Sequence, residues 1–259
     1  MRKKENNSFL LFAFKQLTET LLVAMLCTWS FHIVASLQEE NKYNPELLTF
    51  SHFIFVISII IWCIKKYKVI YFFKKQSVKI ILFCPIIAVL ILICLIYIGT
   101  IIYIPNIYRS ELHSFHDSYI GILTLGVIQP IAEEILFRGT FMSSLLKWKK
   151  NPWWAISITT IIFSCIHLNI SQIIGTFVFG FIAGWLFYKT NSLYPSIIIH
   201  ITNNSICCLL GKASFCTTMD QFIDCNKLFG LLVIIPACLG LLIYIICIIQ
   251  KKIKQKGKI

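Results

Sequence analysis

The sequence predicts an all-α, polytopic transmembrane bundle of about eight spans, and two observations carry that reading. Apolar residues fill 58% of the 259 positions and charged residues only 14%, whereas ordinary soluble domains carry roughly a quarter charged residues. The apolar residues also gather into runs long enough to cross a hydrocarbon core roughly 30 Å thick. The bilayer is therefore the main solvent of the chain and its first partner.

In chain order the expected spans are 17–36, 47–64, 80–104, 119–146, 153–168, 171–188, 193–210 and 228–249. The first is expected to stay in the mature chain, because Lys15 and Glu19 interrupt it and no small-residue cleavage site follows. The formal charge of +13 is distributed around these runs. Arg2, Lys3 and Lys4 precede the first span; Lys65, Lys66, Lys68, Lys74, Lys75 and Lys79 follow the second. Lys147, Lys149 and Lys150 follow the fourth, Lys189 the sixth, and Lys251, Lys252, Lys254, Lys256 and Lys258 the eighth. The alternate loops hold the acids Glu39, Glu40, Glu46, Glu111, Asp117, Asp220 and Asp224. This is the asymmetry of the positive-inside rule. It places both termini in the cytoplasm and removes the reason to invoke nucleic acid as a partner. The Lys/Ile/Asn-rich composition fits an AT-rich bacterial genome, for which the membrane is the plasma membrane.

The eleven cysteines form no CxxC pair. Cys27, Cys63, Cys84, Cys94, Cys165, Cys207, Cys208, Cys238 and Cys247 lie in apolar runs, where a thiol packs as a small hydrophobe. Cys216 and Cys225 share an expected external loop and form a candidate disulfide if that compartment is oxidising.

The fourth span reads Gln129-Pro130-Ile131-Ala132-Glu133-Glu134-Ile135-Leu136-Phe137-Arg138-Gly139. Ionised side chains are costly in a bilayer, so they face the bundle interior, find partners and mark function. Glu134 and Arg138 stand at i and i+4, the spacing of a helical ion pair. Glu133 is left unpartnered within its helix and free for chemistry. Pro130 cannot donate a hydrogen bond near Gly126, so the helix should bend just before Glu133. The fifth span carries Phe163-Ser164-Cys165-Ile166-His167, and the seventh His200-Ile201-Thr202-Asn203-Asn204. At about 1.5 Å per residue, Glu133, His167 and Asn204 lie at similar depths, so four polar groups can converge in one pocket. Gly180 and Gly184 are spaced for close helix approach. His113 and His116 read as solvated loop residues, and His32 and His52 as interfacial.

Glu133-Glu134-x-x-x-Arg138, Phe163-x-x-x-His167 and His200-x-x-x-Asn204, in this order, resemble the three motifs of the CAAX-protease and bacteriocin-processing family of intramembrane proteases. The stretch from Gly180 to Ser196 is similar to that family's linker before the third motif. The resemblance implies an endopeptidase like the type II CAAX prenyl endopeptidases, cleaving a protein or peptide held at the membrane. It implies Glu133 as the base that activates water and His167 as a group that holds the water. His200 and Asn204 would be oxyanion donors, with Glu134, Arg138 and Phe163 in support. The expected organisation is an N-terminal set of spans (1–118), a catalytic core (119–210), and an external loop, last span and basic tail (211–259). Two other readings stand beside it: a non-catalytic immunity or scaffold protein, and an ion or proton transporter using the buried Glu and His groups. A relay has no need of oxyanion donors, and the presence of His200 with Asn204 favours the protease.

Glu133, His167 and His200 could also supply the ligands of a catalytic zinc. Metal-bound histidines usually give their second nitrogen to a carboxylate or carbonyl, and neither histidine has an acid within five positions. Glutamate-activated water without an obligatory cofactor is therefore the preferred expectation, with a single divalent metal such as zinc as the alternative.

Overall fold

The computed structural model describes residues 11–12, 14–19, 21–23, 26, 45–99, 118–148, 151–167, 170–210 and 226–256. Among them there is no strand. The helices are α1 (Pro45–Tyr67), α2 (Val78–Gly99), α3 (Tyr119–Trp148), α4 (Pro152–Cys165), α5 (Ile170–Thr190), α6 (Leu193–Leu210) and α7 (Lys227–Gln255). A short 3₁₀ turn, Val69–Phe72, follows α1. Among the described residues six helices are long and apolar enough to cross a membrane, all but α4. The chain is an integral membrane protein. The expected first span lies mostly outside the described residues, but those described between 11 and 26 are helical. Cys27, Cys216, Cys225, His32, His113 and His116 also lie outside them.

The expected fifth span differs most. Helix α4 has 14 residues, about 21 Å of rise, against a hydrocarbon core of roughly 30 Å. Its end is fixed by His167, whose Nδ1 lies 2.9 Å from the Phe163 carbonyl while the backbone tightens through His167 N–H to Ser164 O at 3.2 Å. An imidazole thus takes one of the carbonyls that a helix end leaves open. His167 stands in the turn beyond the helix rather than inside it.

Helix α6 is the centre of the bundle, packing on α2, α3 and α5, while α1 runs along α3 and α4 forms a hairpin with α5. The α5–α6 connection is tied down at both ends. Asn191 adopts a left-handed φ of 48° and its N–H closes the last turn on Phe187 O at 2.8 Å, the helix-ending geometry that Asn tolerates. Ser192 Oγ then donates to Lys74 O at 2.7 Å, and Gln76 Nε2 to Thr190 O at 3.2 Å. The loop after α1 thereby holds the linker in place.

Pro130 interrupts α3 as expected, and the interruption takes a specific form. Residues Thr124–Ile128 are wound as π-helix, with Gln129 N–H reaching back to Thr124 O. The carbonyls of Leu125 and Gly126 are taken up from α6: Asn204 Nδ2 donates to Leu125 O at 3.3 Å and Ser205 Oγ to Gly126 O at 3.1 Å. A second π-wound stretch, Ile135–Met142, follows Glu134. Such segments are rare and concentrate at functional sites. Glu133 and Glu134 therefore stand on a short α-helical segment, Gln129–Glu134, between two looser ones.

Of the cysteines expected to pack in apolar runs, Cys63, Cys84, Cys94, Cys208 and Cys238 are buried, whereas Cys165, Cys207 and Cys247 are exposed on the bundle surface.

Candidate active site

The site begins with a buried ion pair. Arg138 Nη1 donates to Glu134 Oε1 at 2.8 Å, and both side chains are fully buried. A lone charge would be prohibitive there, and the pair persists because each member has further partners. Arg138 Nη2 donates to Gly180 O at 3.0 Å, and its guanidinium lies 4.7 Å over the Phe163 ring. Gly180 makes this approach possible: a Cβ there would stand 3.2 Å from Arg138 Nη2 and 3.3 Å from both Phe163 and Thr160. Gly184 faces Ile156 and Met142 in the same way.

Glu134 also holds His200. The imidazole Nδ1 lies 2.9 Å from Glu134 Oε1 and the opposite Nε2 lies 3.6 Å from Glu133 Oε2. His200 is buried and walled by Phe179 and Phe163, at ring-centroid distances of 5.0 and 5.8 Å. Phe163 also meets His167, at 5.1 Å. One aromatic ring therefore contacts both histidines and the guanidinium.

Glu133 differs from its neighbour in exposure, with 20% of its side chain accessible against none for Glu134. It is not unpartnered within its helix, as the sequence suggested: Gln129, one turn earlier, donates from Nε2 to Glu133 Oε1 at 2.7 Å. Gln129 Oε1 in turn lies 3.3 Å from His52 Nε2 on α1. His52 is buried within the bundle. The i, i+4 spacing of Gln129 and Glu133 was visible in the sequence. The approach of α1 was not, because no local pattern fixes which helices become neighbours.

The structure thus joins Glu133, Glu134, Arg138, Phe163 and His200 by direct contacts, and His167 reaches them through Phe163. Asn204 also faces α3 but meets it two turns before Glu133, at Leu125, and Asn203 Nδ2 holds its Oδ1 at 3.2 Å. Its amide has a second hydrogen beyond the one given to Leu125.

The absence of a local acid beside either histidine is made good from elsewhere: Glu134 on α3 anchors His200, and the Phe163 carbonyl anchors His167. That objection to a metal, drawn from sequence proximity, does not hold. The ligand set itself is not gathered, since among the described residues no three His, Cys, Asp or Glu side chains stand close enough to hold an ion.

Residues 115–206 match the family model described as Type II CAAX prenyl endopeptidase Rce1-like. Glu133, Glu134, Arg138, Phe163, His167, His200 and Asn204 all lie within the matched stretch, and His52 lies outside it. A protein of Lactococcus lactis subsp. lactis, "UPF0177 protein YxdF", is 31% identical over 81 residues, covering 31% of this chain and 44% of its own length. The Bacillus subtilis "Putative membrane peptidase YdiL" is 27% identical over 84 residues, 32% of this chain and 34% of its own. The chain thus spans less than half the length of either relative. No solved structure matches it.

Proposed function

We propose that the protein is an intramembrane endopeptidase that hydrolyses a peptide bond in a membrane-associated protein or peptide with a glutamate-activated water. The observation that carries the reading is the placement of His200 between two carboxylates of unequal character: Glu134, fully buried and paired, and Glu133, reachable by water. The description of the Bacillus relative as a membrane peptidase supports the same class.

In this mechanism Glu133 takes a proton from a water held with His167, and the water oxygen attacks the scissile carbonyl carbon. The carbonyl π-electrons move onto oxygen, and the oxyanion accepts hydrogen bonds from His200 Nε2–H and the Asn204 amide. Collapse breaks the C–N bond, and Glu133 returns the proton to the leaving nitrogen. With Nδ1 committed to Glu134, His200 can donate from Nε2 only when both ring nitrogens carry protons. The charges of Glu133, Glu134, Arg138 and His200 then sum to zero, which a low-dielectric interior favours. Donors fixed in advance around a dry site are the strongest source of such stabilisation. No step is routed through a metal.

Glu133→Gln, His167→Ala and His200→Ala should each lower cleavage by about 100-fold or more while leaving insertion and purification normal. Comparing membrane and secreted peptides of wild-type and Glu133→Ala cells identifies the substrate. Full turnover in the Glu133 variant would refute the mechanism. Proton or ion flux lost in that variant, with unchanged peptides, would favour the transporter. Zinc bound one to one, with activity lost to a strong chelator and restored by zinc, would replace the metal-free route.

A further inference from the structure

A half-open pocket of about 280 Å³ lies away from Glu133, between the N-terminal helical residues, the end of α1 and the C-terminal half of α3. Four lysines line it: Lys15, Lys66, Lys68 and Lys147. Among the described residues its lining contains one carboxylate, Glu19, and that group is already committed. Lys66 Nζ lies 2.9 Å from Glu19 Oε1, and the Tyr67 hydroxyl donates to Glu19 Oε2. Lys15, Lys68 and Lys147 also line the pocket, and the described lining residues supply no further carboxylate for them.

The rest of the lining suits a phosphate oxygen better than a hydrophobic guest. Gln16 is buried, and its Oε1 accepts from Ser144 Oγ at 2.5 Å, so Gln16 offers its amide NH₂. The rim is apolar: Phe12 and Phe72 line the pocket, and Leu11, Phe12 and Phe14 are strongly exposed nearby. A cationic floor beside exposed apolar side chains matches an amphiphile whose anionic head enters while its chains stay in the bilayer. This is also the end of the bundle where lysines cluster, and basic pockets between helices on the cytoplasmic side take anionic lipid headgroups.

We propose that this pocket binds the phosphate group of an anionic membrane lipid, bridging the N-terminal residues and α1 to the helix that carries Glu133.

The test uses the full chain, purified and stripped of lipid in a neutral detergent. Adding phosphatidylglycerol should raise Tm by about 3 °C; phosphatidylcholine and inorganic phosphate at equal concentration should not. The combined Lys15→Gln, Lys68→Gln, Lys147→Gln variant should lose most of that increment, and a Lys251→Gln, Lys252→Gln control should keep it. Native mass spectrometry of the wild type covers the case in which the triple variant fails to fold: phosphatidylglycerol adducts should survive activation that removes phosphatidylcholine. Equal protection by the two lipids, or an unchanged increment in the triple variant, overturns the site. A full increment from inorganic phosphate alone overturns the lipid assignment and leaves a free-anion site.

Discussion

Gln129 and Glu133 show how little of a residue's role is carried by its type. Both stand on one face of α3, and a 2.7 Å hydrogen bond fixes which oxygen of Glu133 is occupied. The other oxygen is the one directed toward His200. Replacing Gln129 by Leu keeps the volume and removes the bond, so Glu133 loses its orientation. The expected outcome is a fall in kcat of about tenfold with KM little changed, read on the native substrate, and a Gln129→Glu variant should not restore it. The ion pair of Glu134 with Arg138 was legible from four-residue spacing alone. The bridge from Glu134 to His200 spans 66 positions of sequence, and only the packing of α6 on α3 reveals it.

At the scale of the helix, the boundaries were largely visible in hydropathy, because a run of apolar residues ends where lysines begin. Helix α6 occupies 193–210 as expected. Helix α4 ends three residues before the expected limit of 168, and its termination is a side-chain event: His167 bonds back to Phe163 before the apolar run is exhausted. Pro130 announced an interruption of α3, but not that Asn204 and Ser205 would supply the lost partners. The approach of α5 to α3 depends on Gly180. Gly180→Leu should cost about 1–3 kcal/mol from overpacking against Arg138 and Phe163, measured as a lower Tm. Ala at the same position should be milder, since its Cβ would stand 3.2–3.3 Å from Arg138, Phe163 and Thr160, which need give by only a few tenths of an ångström.

For the molecule as a whole, lysine asymmetry predicts the orientation. Reporters fused after residue 150 and at the C-terminus should report cytoplasm, and one placed within 212–226 should report the outside. A cytoplasmic signal from the last position would break that topology. The short α4 bears on the membrane itself. If α4 crosses the bilayer, its about 21 Å of helix set against roughly 30 Å of hydrocarbon leaves some 9 Å to be absorbed around this hairpin. A bilayer meets such hydrophobic mismatch by thinning, at a cost that grows with acyl-chain length. Turnover in vesicles should therefore rise as the chains shorten from 18 carbons toward 14, and equal rates across that series would show that α4 does not touch lipid. A bilayer thinned in this way would let a peptide bond and a water molecule reach the same depth.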